Sequence, residues 1–162
     1  MSNEANERDM QLITLVREGL SKGISFKFKV QSDSMRPFIM KGDIVTVDSS
    51  EMRRLKTGDV ILFQSGSLMI VHRMLFKYLS SGNDTLRTKG DAAPRMDAPI
   101  DSSMLLGRVR EVERSGVRLN LDNVLFRTLS LVIAAFSPLS GYFLPAGARV
   151  KSLLRKFRLV KL

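Results

Sequence analysis

Between residues 24 and 121 the chain is cut into short apolar segments, and each cut carries a turn signal. "ISFKFKV" alternates apolar and basic residues with period two, so an extended segment there buries one face and wets the other. "DIVTVDS" and "DVILFQSG" are each introduced by a Gly–Asp pair, Gly42–Asp43 and Gly58–Asp59. Glycine accepts a positive φ at such a turn, and the aspartate can bond the turn backbone. "SLMIVHRMLFKYLS" follows Gly66–Ser67, "DTLRTKGD" is a short strand ending in a turn, and "LLGRVREVERSGVRLNLD" reads as a last hairpin across Ser115–Gly116. Many short strands with turn signals and no repeat at a solenoid period predict a mainly β fold, a compact β body.

The flanks differ from this body. In residues 1–23, Met10, Leu12, Ile13, Val16 and Leu20 recur at helical spacing, and Gly19 and Gly23 weaken and then end the pattern. This predicts a short amphipathic helix packed on the body or on a partner. The segment has acids where a signal peptide has a basic region, so no export signal or anchor is expected ahead of the body. The expected organisation is a helix at 1–23, a β catalytic domain at 24–122 and a helical tail at 123–162. The tail is apolar from Leu129 to Phe136, is broken by Pro138, Gly141 and Pro145, and ends in "RVKSLLRKFRLVKL". That end places Val150, Leu153, Leu154, Phe157 and Val160 on one helical face with basic residues around the rest. An ordinary core-facing helix has the same pattern. The apolar stretch before it favours a bilayer surface, spanned or lain upon, contacted through residues 128–162.

Charge supports that expectation. The chain has 162 residues, 44% of them hydrophobic, enough for one domain with a core. Its net charge of +10 calls for an anionic partner. From 123 to 162 there is no Asp or Glu and there are seven Arg or Lys, so most of the excess sits in the tail. No aromatic-interleaved basic platform is visible, so a nucleic-acid partner is not expected. There is no cysteine, hence no disulfide and no thiolate zinc site. One histidine and scattered carboxylates give no metal-ligand spacing, and no Gly-rich phosphate loop is present; no metal or other cofactor is expected.

The residues that could carry chemistry are individually bland. His72, the one histidine, sits among apolar neighbours, where a structural role is the common one. Ser34 lies in the turn "SDSMRPF", and hydroxyls are frequent in turns. Asp91 follows Gly90 as a turn former, and Asp97 lies in a polar loop. Together they mean more. A serine hydroxyl needs a neighbouring base to become nucleophilic, an imidazole can take and return that proton, and an aspartate can fix the imidazole tautomer.

The ordered segments "SDSMRPFIMKGDIVTV", "GDVILF", "IVHRML" and "TKGDAAPRMD", spread over about residues 30–110, resemble the motif boxes of the signal peptidase I family within the S24/S26 superfamily. The closer likeness is to the archaeal and endoplasmic-reticulum type, which uses histidine where the bacterial type and the self-cleaving SOS repressors use lysine. The resemblance implies a serine endopeptidase with Ser34 as nucleophile, His72 as general base, and Asp97 or Asp91 as the orienting carboxylate. It implies Ser32 as an oxyanion-stabilising hydroxyl, and Met35 and Pro37 as shapers of a shallow apolar cleft for an extended peptide or protein substrate. Two departures stand out: Asp33 occupies a position that is often glycine, and Ala92 and Ala93 replace asparagines. With no anchor ahead of the body and a basic end behind it, the expected place is the cytoplasmic face of a membrane, cleaving a leader or membrane-proximal segment. The alternatives are a self-cleaving regulatory domain, disfavoured by His72 and the lack of a helix-turn-helix, and a non-catalytic scaffold that binds peptide or lipid.

Overall fold

A computed structural model describes residues 2–136. Helix α1 (Ser2–Ser21) is followed by β1 (Phe26–Lys29), β2 (Ile44–Asp48), a 3-10 turn at Met52–Arg54, β3 (Val60–Ser65), β4 (Leu68–Ser80), β5 (Asn83–Lys89), β6 (Leu105–Arg114), β7 (Val117–Asn120) and helix α2 (Val124–Phe136). The seven strands form one antiparallel sheet in the order β1-β2-β6-β3-β4-β5, with β7 paired to β6. The mainly β body with a helix before it and one after it is as expected. The basic amphipathic end and the Pro–Gly-broken stretch, residues 137–162, lie outside the described residues.

The turn chemistry follows the sequence closely. Gly42 and Gly58 have φ of 96° and 93°, and each following aspartate bonds back into its turn. Asp43 Oδ2 accepts from the Met40 N–H at 2.8 Å, and Asp59 Oδ2 from the Lys56 N–H at 2.8 Å. Ser115 and Gly116, with φ of 51° and 80°, close the β6–β7 hairpin, as the paired positive φ of a tight hairpin requires.

The sheet buries apolar side chains on both faces. On one face Val60, Leu62, Val109 and Val112 meet Ile13, Val16 and Leu20 of α1; on the other Ile61, Phe63 and Met74 meet Met52, Leu55, Leu86 and Ile100. A strand covered on both sides reads as an apolar run rather than an alternation, which explains "VILF" in β3. In α1 the buried stripe is narrower than the sequence pattern: Met10 and Leu12 are more than two-fifths exposed.

The loop between β1 and β2 is pinned at its base by Val30 N–H to Asp43 O (2.8 Å) and Gly42 N–H to Val30 O (2.9 Å). Arg114 of β6 completes the anchor: Nε and Nη2 reach the Asp43 carboxylate, and Nη2 also reaches Phe38 O at 3.0 Å. Hydrogen bonding from this guanidinium holds the Asp43 carboxyl below its ordinary pKa, against the opposing effect of burial. A lowered folded value means the stabilisation is present above the unfolded aspartate pKa, near about 3.9, and is lost as pH falls through the folded value. Arg114→Met leaves Asp43 buried and unpaired and is expected to cost about 2–4 kcal/mol at pH 7, between the exposed-pair and buried-pair ranges. Urea unfolding from pH 7 to pH 3 checks this: the deficit should shrink at the acid end, and a deficit constant with pH would refute the electrostatic origin.

Candidate active site

Ser34 stands on the pinned loop, held from beneath. Met35 and Ile39, next to it and one turn on, are essentially fully buried in the core, and the Ile39 N–H bonds Met35 O at 3.0 Å. Asp33 is bound into the loop itself. Its Oδ1 accepts from the Lys41 N–H at 3.1 Å, and Arg36 pairs with Oδ2 at 3.6 Å. The carboxylate beside Ser34 is therefore tied to the loop's own backbone. The Arg36–Pro37 peptide is cis.

Three elements converge on Ser34. His72, in the middle of β4, points Nε2 at Ser34 Oγ (3.1 Å) and Nδ1 at Asp97 Oδ2 (2.7 Å). Phe63 lies against the imidazole, ring centroids 6.2 Å apart, and the ring is largely shielded from solvent. Asp97 Oδ2 also accepts from the Thr88 hydroxyl at 2.7 Å, and the Asp97 N–H bonds Thr88 O at 2.9 Å. A carboxylate only accepts, so in the neutral imidazole this contact puts the ring proton on Nδ1 and leaves Nε2 to accept from the serine hydroxyl. Ser32 Oγ is 3.2 Å from Ser34 Oγ.

Asp91 does other work. Its two oxygens take Arg73 Nε and Nη2 at 2.8 and 2.7 Å in a bidentate pair whose side chains are almost wholly buried. Arg73 follows His72 in β4, so strand alternation sends the two side chains to opposite faces. The backbone around Asp91 reaches Ser34 instead: the Ala92 N–H donates to Ser34 O at 2.8 Å. Gly90 fits only because it lacks a side chain. A Cβ there would lie 2.7 Å from Ser34 O and 2.9 Å from His72 Nε2. Gly90→Ala is expected to keep the fold, at about 1–3 kcal/mol for overpacking, and to lower turnover about 100-fold by moving the two groups apart. Thermal melts beside rate measurements check it; an active Gly90→Ala would refute the close approach.

Of the residues singled out from the sequence, Ser32, Ser34, His72 and Asp97 meet at one point, and Met35 lines the groove beside them. Asp91 sits behind on Arg73, and Pro37 is exposed and outside the groove lining. Sequence reasoning missed Thr88, Arg73 and Lys89. Lys89, opposite Arg73 in the β4–β5 ladder, is buried. Burial pushes its ammonium below its ordinary pKa, while the carboxylates of Asp91 and Asp97 pull the other way. The available signal was the alternation of "TLRTK", which places Lys89 in phase with Arg87 and Thr85, yet reads as a wet face.

A groove of about 490 Å³ runs from Ser34 and His72 between the chain at 28–32 and the chain at 67–72, the turn residue Ser67 and the start of β4. Its floor is apolar (Met35, Ile39, Val45, Leu62), and Asp9, Leu12 and Ile13 of α1 contribute to its lining. No group of His, Cys, Asp and Glu among the described residues is arranged to hold a metal ion.

A search of curated proteins found no match to the chain. The family model described as Peptidase S24-like matches residues 3–110, which takes in α1, the groove, Ser34, His72 and Asp97. A match over more than half of the chain, on the residues that build this groove, shows that the chain belongs to the Peptidase S24-like family.

Proposed function

We propose that the chain is a serine endopeptidase of signal-peptidase type, with Ser34 as nucleophile and His72 as general base. The observation that carries this reading is the unbroken line of contacts from Ser34 Oγ to His72 Nε2, and from His72 Nδ1 to Asp97 Oδ2. Ser34 Oγ attacks the scissile carbonyl carbon as its proton passes to Nε2. Asp97 stabilises the imidazolium and holds the ring orientation. The Ser32 hydroxyl and the Ser34 N–H are the donors for the tetrahedral oxyanion, whose charge exists only near the transition state. The imidazolium gives its proton to the leaving amine. Water, deprotonated by the same Nε2, then releases the acyl group and restores the serine. The groove supports an extended substrate bonded by its backbone as an added strand, with apolar side chains pointing to the floor.

Incubation with a defined peptide mixture, with products read by mass spectrometry, tests this reading. Cleavage by wild type that Ser34→Ala lacks supports it; identical digestion by both overturns it. Membership of the S24-like family favours one second reading, cleavage within the chain itself. Self-cleavage would appear as a first-order loss of full-length protein, independent of its concentration.

The proposed working place is the cytoplasmic face of an anionic membrane. Supporting it are the acid-free stretch from 123 to 162 and the half-exposed Leu129, Leu131 and Val132 on α2. No helix among the described residues is long and apolar enough to cross a membrane. Co-sedimentation with anionic but not neutral vesicles is the expected result; equal sedimentation with neither would remove the membrane from the proposal.

A further inference from the structure

We infer that Ser130, on helix α2, is a positioning residue for the catalytic pair, so that a helix outside the family-matched residues sets the rate at Ser34. This rests on the peptidase reading above. Helix α2 begins at Val124, fourteen residues past the end of the matched region at 110. Its sequence, "VLFRTLSLVIAAF", is apolar except for Arg127, Thr128 and Ser130. Thr128 bonds the carbonyl four residues back, as a helical hydroxyl commonly does. Ser130 does not; it is buried, and its Oγ accepts from Arg73 Nη1 at 2.9 Å.

The approach that makes this contact possible is specific. The helix backbone at Ser130 and Leu131 passes 3.1–3.2 Å from where a Cβ of Gly58 would stand, and Gly58 O accepts from the same Arg73 Nη1 at 2.9 Å. The guanidinium also lies over the Phe38 ring, 4.7 Å from its centroid, and Phe126 of α2 meets that ring edge-on at 5.9 Å. Arg73 is thus fixed from one side by α2 and from the other by Asp91.

Asp91 passes the constraint on. The residues on either side of it both adjoin the Ser34 carbonyl: Ala92 donates its N–H to it at 2.8 Å, and Gly90 leaves no room for a Cβ between Ser34 O and His72 Nε2. Losing the Ser130 hydroxyl leaves a buried guanidinium N–H short of an acceptor, and the planar fork turns to find another. The Asp91 loop moves with it, and small displacements at a nucleophile are costly in rate. Helix α2 does not line the substrate groove, so binding should be spared.

The test uses the full chain and a fluorophosphonate probe, with the adduct located by mass spectrometry. Ser130→Ala is expected to slow the inactivation step about tenfold while the probe's half-saturation concentration stays unchanged. Ser130→Thr, which restores a hydroxyl, should recover most of the rate, and its near-isostere Ser130→Val should not. Melting curves establish that each variant is folded at the assay temperature. Wild-type rates in Ser130→Ala, or equal rates in the Thr and Val variants, would overturn the inference. No adduct on Ser34 in wild type would instead overturn the peptidase reading, and this inference with it.

Discussion

Ser34→Ala is expected to abolish labelling by a fluorophosphonate and to lower peptide cleavage by about 10⁴–10⁶-fold, with His72→Ala close behind. The expectation comes from the contact between them. A serine hydroxyl is almost entirely protonated near neutral pH, and His72 places a basic nitrogen, Nε2, 3.1 Å from Ser34 Oγ. Removing either partner removes the same step, so the double variant should be no worse than the worse single one. Neither change should unfold the protein, because both side chains stand at the groove rather than within the two apolar clusters. The measurement is initial rate against protein concentration for wild type, both singles and the double, with circular dichroism as the folding control. A His72→Ala variant within tenfold of wild type at neutral pH would remove His72 as the base. Additive losses would mean that the two residues act in separate steps.

The sheet was legible in the sequence because its signals are local. Gly42–Asp43 and Gly58–Asp59 marked turns that the structure builds with the glycine φ and aspartate bond expected of them. The α1 stripe was legible at Ile13, Val16 and Leu20 but too broad, since spacing alone does not show how wide a face the sheet will cover. The site is different in kind. Ser34 and His72 lie 38 residues apart and His72 and Asp97 lie 25 apart, and no periodicity encodes a distance across such gaps. Their meeting rested on resemblance to known motif order. Asp33 stands in the sequence only as a departure from a frequent glycine; the folded loop shows its carboxylate bonded to the Lys41 N–H and paired with Arg36. Arg73 was invisible as a structural centre, because an arginine in a strand reads as a wet-face residue until its partners Asp91 and Ser130 arrive from distant parts of the chain. Ser130 was hidden further, as one hydroxyl in an apolar run.

The two aspartates of "KGDAAPRMD" are expected to fail in opposite ways. Asp97→Asn keeps the shape but changes the hydrogen-bond grammar at His72. Its amide can donate to Nδ1, which then no longer carries the proton, and the ring presents Nε2–H to Ser34 where an acceptor is needed. A loss of about 10³–10⁴-fold in kcat follows, as for any triad that loses its tautomer control. Unfolding free energy should stay within about 1 kcal/mol, since Asp97 is partly exposed and its substitute is isosteric. Asp91→Asn should show the reverse balance. Arg73 is wholly buried, and taking away its counter-charge leaves a cation in the interior at a cost of about 3–5 kcal/mol. Its effect on rate is indirect, through the loop that holds the Ser34 carbonyl, and should be about tenfold. Urea unfolding and turnover measured on both variants separate the roles. Equal rate losses with equal stabilities would mean that the contact between His72 and Asp97 does not by itself orient the base. A large loss of stability in Asp97→Asn, with turnover preserved in the fraction that folds, would reassign that carboxylate from chemistry to scaffold.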